Sequence, residues 1–327
     1  MEWALIITLG LILYAEFVNG WTDAPNAIAT VVSTRVLSPK NAVIMATALN
    51  IAGAFAGTAV AATIGKGIVD SSIINLETIS AAMLGIIIWS SVAAKMGLPT
   101  SESHALVAGL AGAALATTGP EALLWSGWQK VFIGIGFSTF LGFFVAMVLT
   151  KLLKKAFAGR PPMKSRRLFD RLQILSAAFM AFNHGSNDGQ KFIGVFALSL
   201  LLAGKIDTFH IPFWVILLCA ITMGIGTSIG GWKIIRTLGI RMTHLEPWQG
   251  FSAETAASLT ILTASRFGIP LSTTHTISTA IMGVGAAKRL SAVRWGVSRD
   301  IIYAWLLTFP VCGTIAFLTA LITKKFF

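Results

Sequence analysis

Apolar residues dominate ten stretches of the chain, and short polar segments separate them. The stretches lie at residues 3–34, 41–65, 79–95, 98–118 and 126–150 in the first half, and at 172–203, 211–231, 246–266, 269–287 and 301–323 in the second. Most approach the roughly 20 residues that a helix needs to cross about 30 Å of hydrocarbon. If each stretch crosses once, the pattern predicts an all-α integral membrane protein with five membrane segments in each half.

Composition supports this class. Hydrophobic residues make up 55% of the 327 residues, charged residues only 12%, and the mean hydropathy is +0.78. About a quarter of the residues of a soluble globular protein are charged, so the lipid bilayer is the expected surrounding of this chain. Cys219 and Cys312 lie far apart inside apolar stretches, which indicates neither a disulfide framework nor a metal cluster. The first stretch continues into polar residues and is expected to stay in the mature protein.

A basic segment divides the two halves. Residues 151–171 carry eight Lys or Arg against one Asp around a helix-breaking Gly-Arg-Pro-Pro sequence. We therefore expect a first repeat at 1–150, a cytoplasmic linker at 151–171 and a second repeat at 172–327. Single crossings would place 18 of the 25 Lys and Arg on the linker side, as the positive-inside rule requires of a multi-pass plasma-membrane protein. The net charge of +12 then needs no nucleic-acid partner.

Two polar motifs occur in both halves. NGWTDAPNAIAT at 19–30 aligns with GSNDGQKFIGV at 185–195, which pairs Asp23 with Asp188 and Asn26 with Lys191. GLPTSESH from Gly97 aligns with GIPLSTTH from Gly268. The two pairs recur at nearly the same offset, so one unit is used twice.

An odd number of crossings per unit makes the second copy enter the membrane from the opposite side. Inverted repeats of this kind are typical of secondary transporters, whose binding site lies near the bilayer midplane where broken helices of the two copies meet. The sequence thus predicts two inverted-topology repeats with broken or re-entrant helices at the midplane.

The Gly-x-Pro-x-Ser motif is typical of a helix start. Glycine ends one helix and proline fits the first turn of the next, where free N–H groups and the helix dipole favour an anion. Hydroxyl groups from both copies would complete a cradle for a tetrahedral oxyanion. Its predicted members are Thr100, Ser101, Ser103, Ser272, Thr273 and Thr274.

The aspartate motifs predict cation binding. A carboxylate inside a membrane segment is costly and usually functional. Sodium prefers oxygen ligands, and the candidate ligands are Asp23, Asn26, Asp188, Asn187 and Gln190. The same aspartates could instead carry protons. Lys191 has no cationic counterpart in the first half, and it could neutralise Asp188 or reach the anion; Asn187 is also a candidate anion ligand.

These motifs resemble those of the inorganic phosphate transporter family, PiT. The family's duplicated Gly-x-Asn-Asp-x-x-[Asn/Lys] motif matches GSNDGQK at 185–191, and GWTDAPN at 20–26 except that Thr22 replaces asparagine. The resemblance covers both halves. It implies a non-enzymatic symporter that moves inorganic phosphate with sodium or protons, without a further cofactor, as a homodimer. It also implies a cation-binding role for Glu254, within GFSAETAAS, and places Asn50 where a companion glutamate would stand.

Several alternatives remain at this level. Some bacterial relatives of this family carry sulfate, so a sulfate permease or a proton-coupled phosphate symporter is the alternative to sodium:phosphate symport. Phosphate carries a proton at neutral pH and sulfate does not. Glu102, His104 and His275 are candidates to recognise that proton by hydrogen bonding. An intramembrane hydrolase using Ser101, His104 and Asp23 would not need a second copy of its motif, and the chain has no Gly-x-Ser-x-Gly elbow. A passive channel would lack cation coupling.

Overall fold

The protein is built of α-helices joined by short connections. A computed structural model describes residues 2–159 and 162–326. The helices of the first half are α1 (Glu2–Ser33), α2 (Pro39–Ala54), α3 (Ala59–Gly67), α4 (Leu76–Met96), α5 (Glu102–Thr117), α6 (Trp125–Gly136) and α7 (Gly142–Ala156). Those of the second half are α8 (Pro162–His184), α9 (Gln190–Leu202), α10 (Phe213–Ile229), α11 (Trp232–Arg236), α12 (Pro247–Arg266), α13 (Thr273–Lys288) and α14 (Trp295–Phe326). The predicted all-α class is confirmed.

Single π-helical turns continue three of these helices. Phe137–Leu141 joins α6 to α7, Gly185–Gly189 joins α8 to α9, and Thr237–Arg241 extends α11. Most of the predicted linker at 151–171 is helical, because α7 and α8 run past the apolar stretches into the basic residues. Its central Arg160 and Pro161 lie outside the described residues.

Fewer segments than predicted have the length and composition of a complete membrane span. In the described chain four helices qualify: Glu2–Ser33, Leu76–Met96, Trp125–Ala156 and Trp295–Lys324. Two bent pairs qualify if each is one span: α2 with α3, at 68°, and α10 with the helix Trp232–Arg241, at 61°. The helices α5 and α13 have only 16 residues, about 24 Å of rise, and do not cross alone.

The repeats are inverted, as predicted. The first helix of the second repeat, α8 continued by α9, runs antiparallel to α1. Lys205, just beyond α9, pairs with Glu2 at the start of α1, with 3.5 Å between nitrogen and oxygen. At the other end, Thr34 donates a 2.9 Å hydrogen bond to Gln173 in α8.

The helices α4 and α5 form a hairpin, and α12 and α13 form its counterpart. The hydroxyls of Thr78 and Thr117, at the open end of the first hairpin, are 3.1 Å apart. Gly97 and Gly268 end α4 and α12 with φ of 75° and 63°, a left-handed conformation that glycine adopts without strain. Because each hairpin returns to the face from which it started, the inversion does not depend on whether its tip crosses the membrane.

Two apolar cores lie on either side of a polar layer. Along α1, the first core ends at Ala15 and the second begins at Ala27. Along α8 and α9, the second core ends at Ala181 and the first resumes at Phe192. Both intervals coincide with the duplicated polar motifs, which therefore share one layer at the centre of the protein.

Candidate functional site

The second polar motif keeps a helical course by widening into a π-helical turn at Gly185–Gly189. A Cβ atom on Gly185 would lie 2.1 Å from the carbonyl oxygen of Asn50, so only glycine lets α2 pack this closely. The helix α1 runs unbroken through Asp23 and Pro25, which differs from the disturbed helix that the sequence suggested. A proline inside a helix removes one backbone hydrogen bond, and the packed surroundings of α1 retain the helix despite that loss.

Two aspartates, one from each repeat, meet in the polar layer. Asp23 and Asp188 are only 2% and 1% exposed. His184 lies between them, with Nε2 at 3.9 Å from Oδ2 of Asp23 and 3.5 Å from Oδ2 of Asp188. Its Nδ1 is 3.1 Å from Oδ1 of Asn50, whose amide nitrogen donates to Thr227. This orientation of Asn50 places a hydrogen on Nδ1 and turns Nε2 toward both carboxylates, where the three groups are close enough to share one cation.

Lys191 compensates one of these carboxylates. Its ammonium donates hydrogen bonds to Oδ1 of Asp188, to the hydroxyl of Ser103, and, at 3.0 Å, to the carbonyl oxygen of Leu271. Ser103 also donates to the Leu271 carbonyl, at 2.8 Å. The lysine therefore joins the aspartate of the second repeat to the tips of both hairpins.

Two threonines at the start of α13 connect the aspartates to Asn26. The hydroxyl of Thr273 donates to Asp188 at 2.9 Å, and that of Thr274 donates to Asp23 at 3.2 Å. The amide nitrogen of Asn26 donates to both hydroxyls, at 3.2 and 2.9 Å. Each threonine hydroxyl thus has its single hydrogen committed to a carboxylate.

The predicted helix starts are present in the interior. Ser101 and Ser272 are N-caps whose hydroxyls accept from the backbone N–H of His104 and His275, at 3.2 and 3.1 Å. The two histidine rings are in edge-to-face contact with centroids 4.5 Å apart, so the N-termini of α5 and α13 lie side by side. Thr100, just before the first cap, is 3% exposed. Both starts combine free backbone N–H groups with the positive ends of helix dipoles.

Glu102 adds a third carboxylate at the start of α5. It is 1% exposed and accepts from the hydroxyls of Thr22 and Ser90, at 3.0 and 2.8 Å. Its counterpart in α13 is Thr273, which donates to Asp188 instead. The two hairpin tips therefore differ in charge.

Glu254 occupies a separate polar site between α1, α8 and α12. Its carboxylate accepts from the hydroxyls of Thr30 and Ser176, and from the amide of Gln173 at 3.3 Å. Thr34 extends this network by donating to Gln173.

Two predicted ligands make contacts outside the aspartate cluster. Asn187 donates to the Ser265 hydroxyl at 2.8 Å and to the Ile269 carbonyl at 3.4 Å. Gln190 accepts from the backbone N–H of Val60 at 3.0 Å, at the start of α3, and donates to a carbonyl of its own π-helical turn. Both side chains thereby attach the second motif to neighbouring helix ends.

Asn50, expected from the family resemblance to stand at the position of a companion glutamate, is not the repeat equivalent of Glu254. Asn50 lies in α2, whereas Glu254 lies in α12, whose equivalent in the first repeat is α4. The offset of 171 residues that relates Ser101 to Ser272 places Met83, a fully buried residue, at the equivalent position. A companion role for Asn50 would therefore not follow from the internal duplication.

His184 is a central residue to which the sequence assigned no role. It lies four residues before Asp188, and its position within the polar stretch was the only available signal. With three carboxylates, one ammonium and several hydroxyls sealed from water, the centre has the groups to bind a cation and an oxyanion together.

Comparison with known proteins identifies the family. The sequence profile of the phosphate transporter family matches residues 19–165 and again residues 158–316, one match for each half. The chain belongs to the phosphate transporter family. It is therefore a multi-pass membrane transport protein rather than an enzyme, and the resemblance drawn from its motifs is confirmed.

Bacterial proteins described as phosphate transporters align along almost the whole chain. A probable low-affinity inorganic phosphate transporter of Rhizobium meliloti (strain 1021) is 43% identical over 314 residues, which cover 95% of this chain and 94% of that protein. Its namesake in Bacillus subtilis (strain 168) is 38% identical over 333 residues, covering all of both. A solved structure, described as the sodium-dependent phosphate transporter, superposes with a TM-score of 0.84 at 26% identity over the whole of both chains.

Proposed function

We propose that this protein imports inorganic phosphate by cation symport through alternating access, with sodium as the coupling ion. One observation carries the proposal: the aspartates of two inverted repeats meet the N-termini of α5 and α13 in a single buried centre. The names of the Rhizobium and Bacillus relatives favour phosphate over sulfate, and that of the solved structure favours sodium over protons.

The arrangement of hydroxyls suggests how the two substrates are coupled. The hydrogens of Thr273 and Thr274 are directed to Asp188 and Asp23. A cation bound at Asp23 takes over the interaction with Thr274 and frees that threonine hydrogen for a phosphate oxygen. The helix starts at Ser101 and Ser272 supply further donors, so anion binding is favoured only after the cation has bound.

A cavity on the linker face is the proposed route to the cytoplasm. It measures about 1060 Å³ and is lined by basic residues that include Arg35, Lys154 and Arg166. Thr34 also lines it and is hydrogen-bonded to Gln173 of the Glu254 network. The positive lining would attract a departing anion, and closure of this cavity with opening on the other face would give alternating access.

Orientation and assembly follow from the same proposal. We place the linker face in the cytoplasm of a plasma-membrane protein that assembles as a homodimer. The outer helices present apolar side chains for contact with lipid. On α7 and α14 these exposed residues are Phe144, Val148, Leu152, Leu306, Leu307 and Leu318.

The proposal is tested with purified protein in proteoliposomes. Radiolabelled phosphate uptake is followed under an inward sodium gradient, then under an inward proton gradient without sodium, and with excess unlabelled sulfate. Sodium-driven uptake that ignores sulfate is expected. Uptake driven only by protons would assign Asp23 and Asp188 to proton transfer instead of sodium binding. Suppression of uptake by sulfate would assign the protein to sulfate transport.

Removing the threonine hydroxyls should weaken phosphate binding. Thr273→Val and Thr274→Val each delete a hydrogen bond to a charged group, worth about 1.5–3 kcal/mol, so the apparent KM for phosphate should rise about tenfold or more. Thr263→Val removes an exposed hydroxyl of α12 and serves as the control. Ser101→Ala and Ser272→Ala should also weaken anion affinity, and each should cost about 1 kcal/mol of stability as a lost N-cap. An unchanged KM in all four site variants would contradict the anion site.

A further inference from the structure

Lys191 differs from every other lysine and arginine whose burial is described, because it alone is buried, with 0% exposure. An ammonium has three N–H donors, and this one has three acceptors: the carboxylate of Asp188, the hydroxyl of Ser103 and the carbonyl oxygen of Leu271. These are oxygen ligands of the kind that a hard metal cation prefers. The ammonium therefore lies where a cation would otherwise bind.

The inverted repeat provides a second copy of this oxygen set. The counterparts of Asp188 and Ser103 are Asp23 and Thr274, and that of Leu271 is Thr100, which offers its backbone carbonyl. The residue equivalent to Lys191 is Asn26. The symmetry extends to single atoms, because the Asn26 amide donates to the Thr274 hydroxyl at 2.9 Å just as the Lys191 ammonium donates to the Ser103 hydroxyl.

The two copies differ in charge compensation. Asn26 is shorter than lysine and uncharged, and its amide donates to Thr273 and Thr274 rather than to Asp23. Oδ2 of Asp23 and Oδ1 of Asn26 are buried without a hydrogen-bond partner among the described residues. The nearest cationic candidate for Asp23 is Nε2 of His184, which at 3.9 Å is beyond hydrogen-bond distance. Asp23 and Asn26, one helical turn apart on α1, thus each keep a buried oxygen without a partner, and no lysine or arginine among the described residues forms a salt bridge with Asp23.

We infer that Lys191 is a tethered cation that permanently fills one of two symmetry-related cation sites, which leaves the Asp23 site for one mobile sodium ion. The ligands of that ion would be Asp23, the oxygen of Asn26, the Thr274 hydroxyl and the Thr100 carbonyl. This inference rests on the proposed function and adds to it: the aspartate centre carries one coupling cation per cycle instead of two. Any ion held at the distant Glu254 is additional.

Exchanging the residues at these equivalent positions tests the inference directly. Lys191→Asn restores the pattern of the first repeat and should raise by one the number of sodium ions bound per chain. Asn26→Lys places an ammonium beside Asp23 and should lower that number by one. Bound radioactive sodium is counted by equilibrium dialysis of purified, phosphate-free protein, with chromatographic profile and thermal unfolding recorded to establish that each variant is folded.

The control is the double variant Asp188→Asn/Lys191→Asn, which removes both members of the ion pair. It keeps the net charge around position 188 at zero and lacks the carboxylate of Asp188, so it should bind no more sodium ions than the wild type. If Lys191→Asn alone does not fold, comparison of Asn26→Lys with this double variant still tests the inference. Asn26→Lys should bind one sodium ion fewer than the wild type, whereas the double variant should lose none.

Transport supplies an independent measurement. The sodium gradient that balances a given phosphate gradient in proteoliposomes yields the sodium:phosphate ratio, which should be higher by one for Lys191→Asn. Unchanged sodium binding in folded Lys191→Asn and folded Asn26→Lys, or the absence of sodium binding in the wild type, would overturn the inference. Failure of the proposed function is a different result: the wild type would bind sodium and the variants would shift as expected, but no phosphate would enter the vesicles.

Discussion

Asp23→Asn is expected to abolish sodium-driven phosphate uptake while the protein remains folded. Asp23 is buried, accepts one hydrogen bond from Thr274, and has no lysine or arginine in contact among the described residues. Replacing it with neutral asparagine removes the only formal charge of the proposed mobile-ion site and takes an ion-pair partner from no described lysine or arginine. Uptake should fall to the background of empty vesicles, measured in the proteoliposome assay with thermal unfolding recorded in parallel.

The equivalent change in the second repeat should behave differently. Asp188→Asn leaves the ammonium of Lys191 buried without its carboxylate, and breaking a buried ion pair from one side costs about 3–5 kcal/mol. Asp188→Asn should therefore lose both uptake and stability, whereas Asp23→Asn loses uptake alone. Asp207→Asn, on an exposed connection, is the control and should change neither. Wild-type uptake by Asp23→Asn would remove that residue from the cation site.

The architecture was predictable because duplication is visible in the sequence itself. Ser101 and Ser272 stand at equivalent positions, and an odd number of crossings between the copies implies inversion whatever the exact bounds of each helix. The N-caps at these serines follow from local chemistry, since proline and serine act within a few residues of their own helix. Local rules of this kind hold in a membrane protein as well as in a soluble one.

The depth of each segment was not predictable from hydrophobicity. The helices α5 and α13 lie within apolar stretches of the sequence, yet they begin in the interior because their capped starts pack against each other through His104 and His275. An apolar sequence indicates only that a segment is shielded from water. Surrounding protein and lipid can both provide that shielding. Only the contacts between the hairpins distinguish the two cases.

The partners of the polar residues depend on distant parts of the chain. Lys191 contacts Ser103 and Leu271, which are 88 and 80 residues away, and nothing local to its motif indicates them. Gln190 follows Asp188 closely in sequence, yet its carbonyl oxygen accepts from the start of α3. Motif spacing identified candidate functional polar residues, but tertiary packing decides which of them contact one another.

Glu254→Gln should produce the second large effect, a loss of sodium affinity rather than of the fold. The Glu254 carboxylate accepts from Thr30 on α1 and from Gln173 and Ser176 on α8, so it joins α12 to the first helices of both repeats. A glutamine keeps the size of the side chain but removes its charge and directs an amide donor at one of these groups. Hydrogen bonds to a charged group contribute about 1.5–3 kcal/mol, so the half-saturating sodium concentration for uptake should rise about tenfold or more.

A glutamate on the same helix supplies the matched control. Glu246 forms the N-cap of α12 through a capping box with Gln249 and also accepts from Trp248. Glu246→Gln alters the helix end without changing the charge near Thr30, so it should change stability slightly and leave the sodium dependence unaltered. Equal sodium dependence of wild type and Glu254→Gln would assign Glu254 a structural role, and the Asp23 site would then account alone for coupling. A shift in Glu254→Gln without one in Glu246→Gln would place a cation-responsive group near the cavity on the linker face, which is the proposed cytoplasmic route. Sodium release would then follow the opening of that cavity.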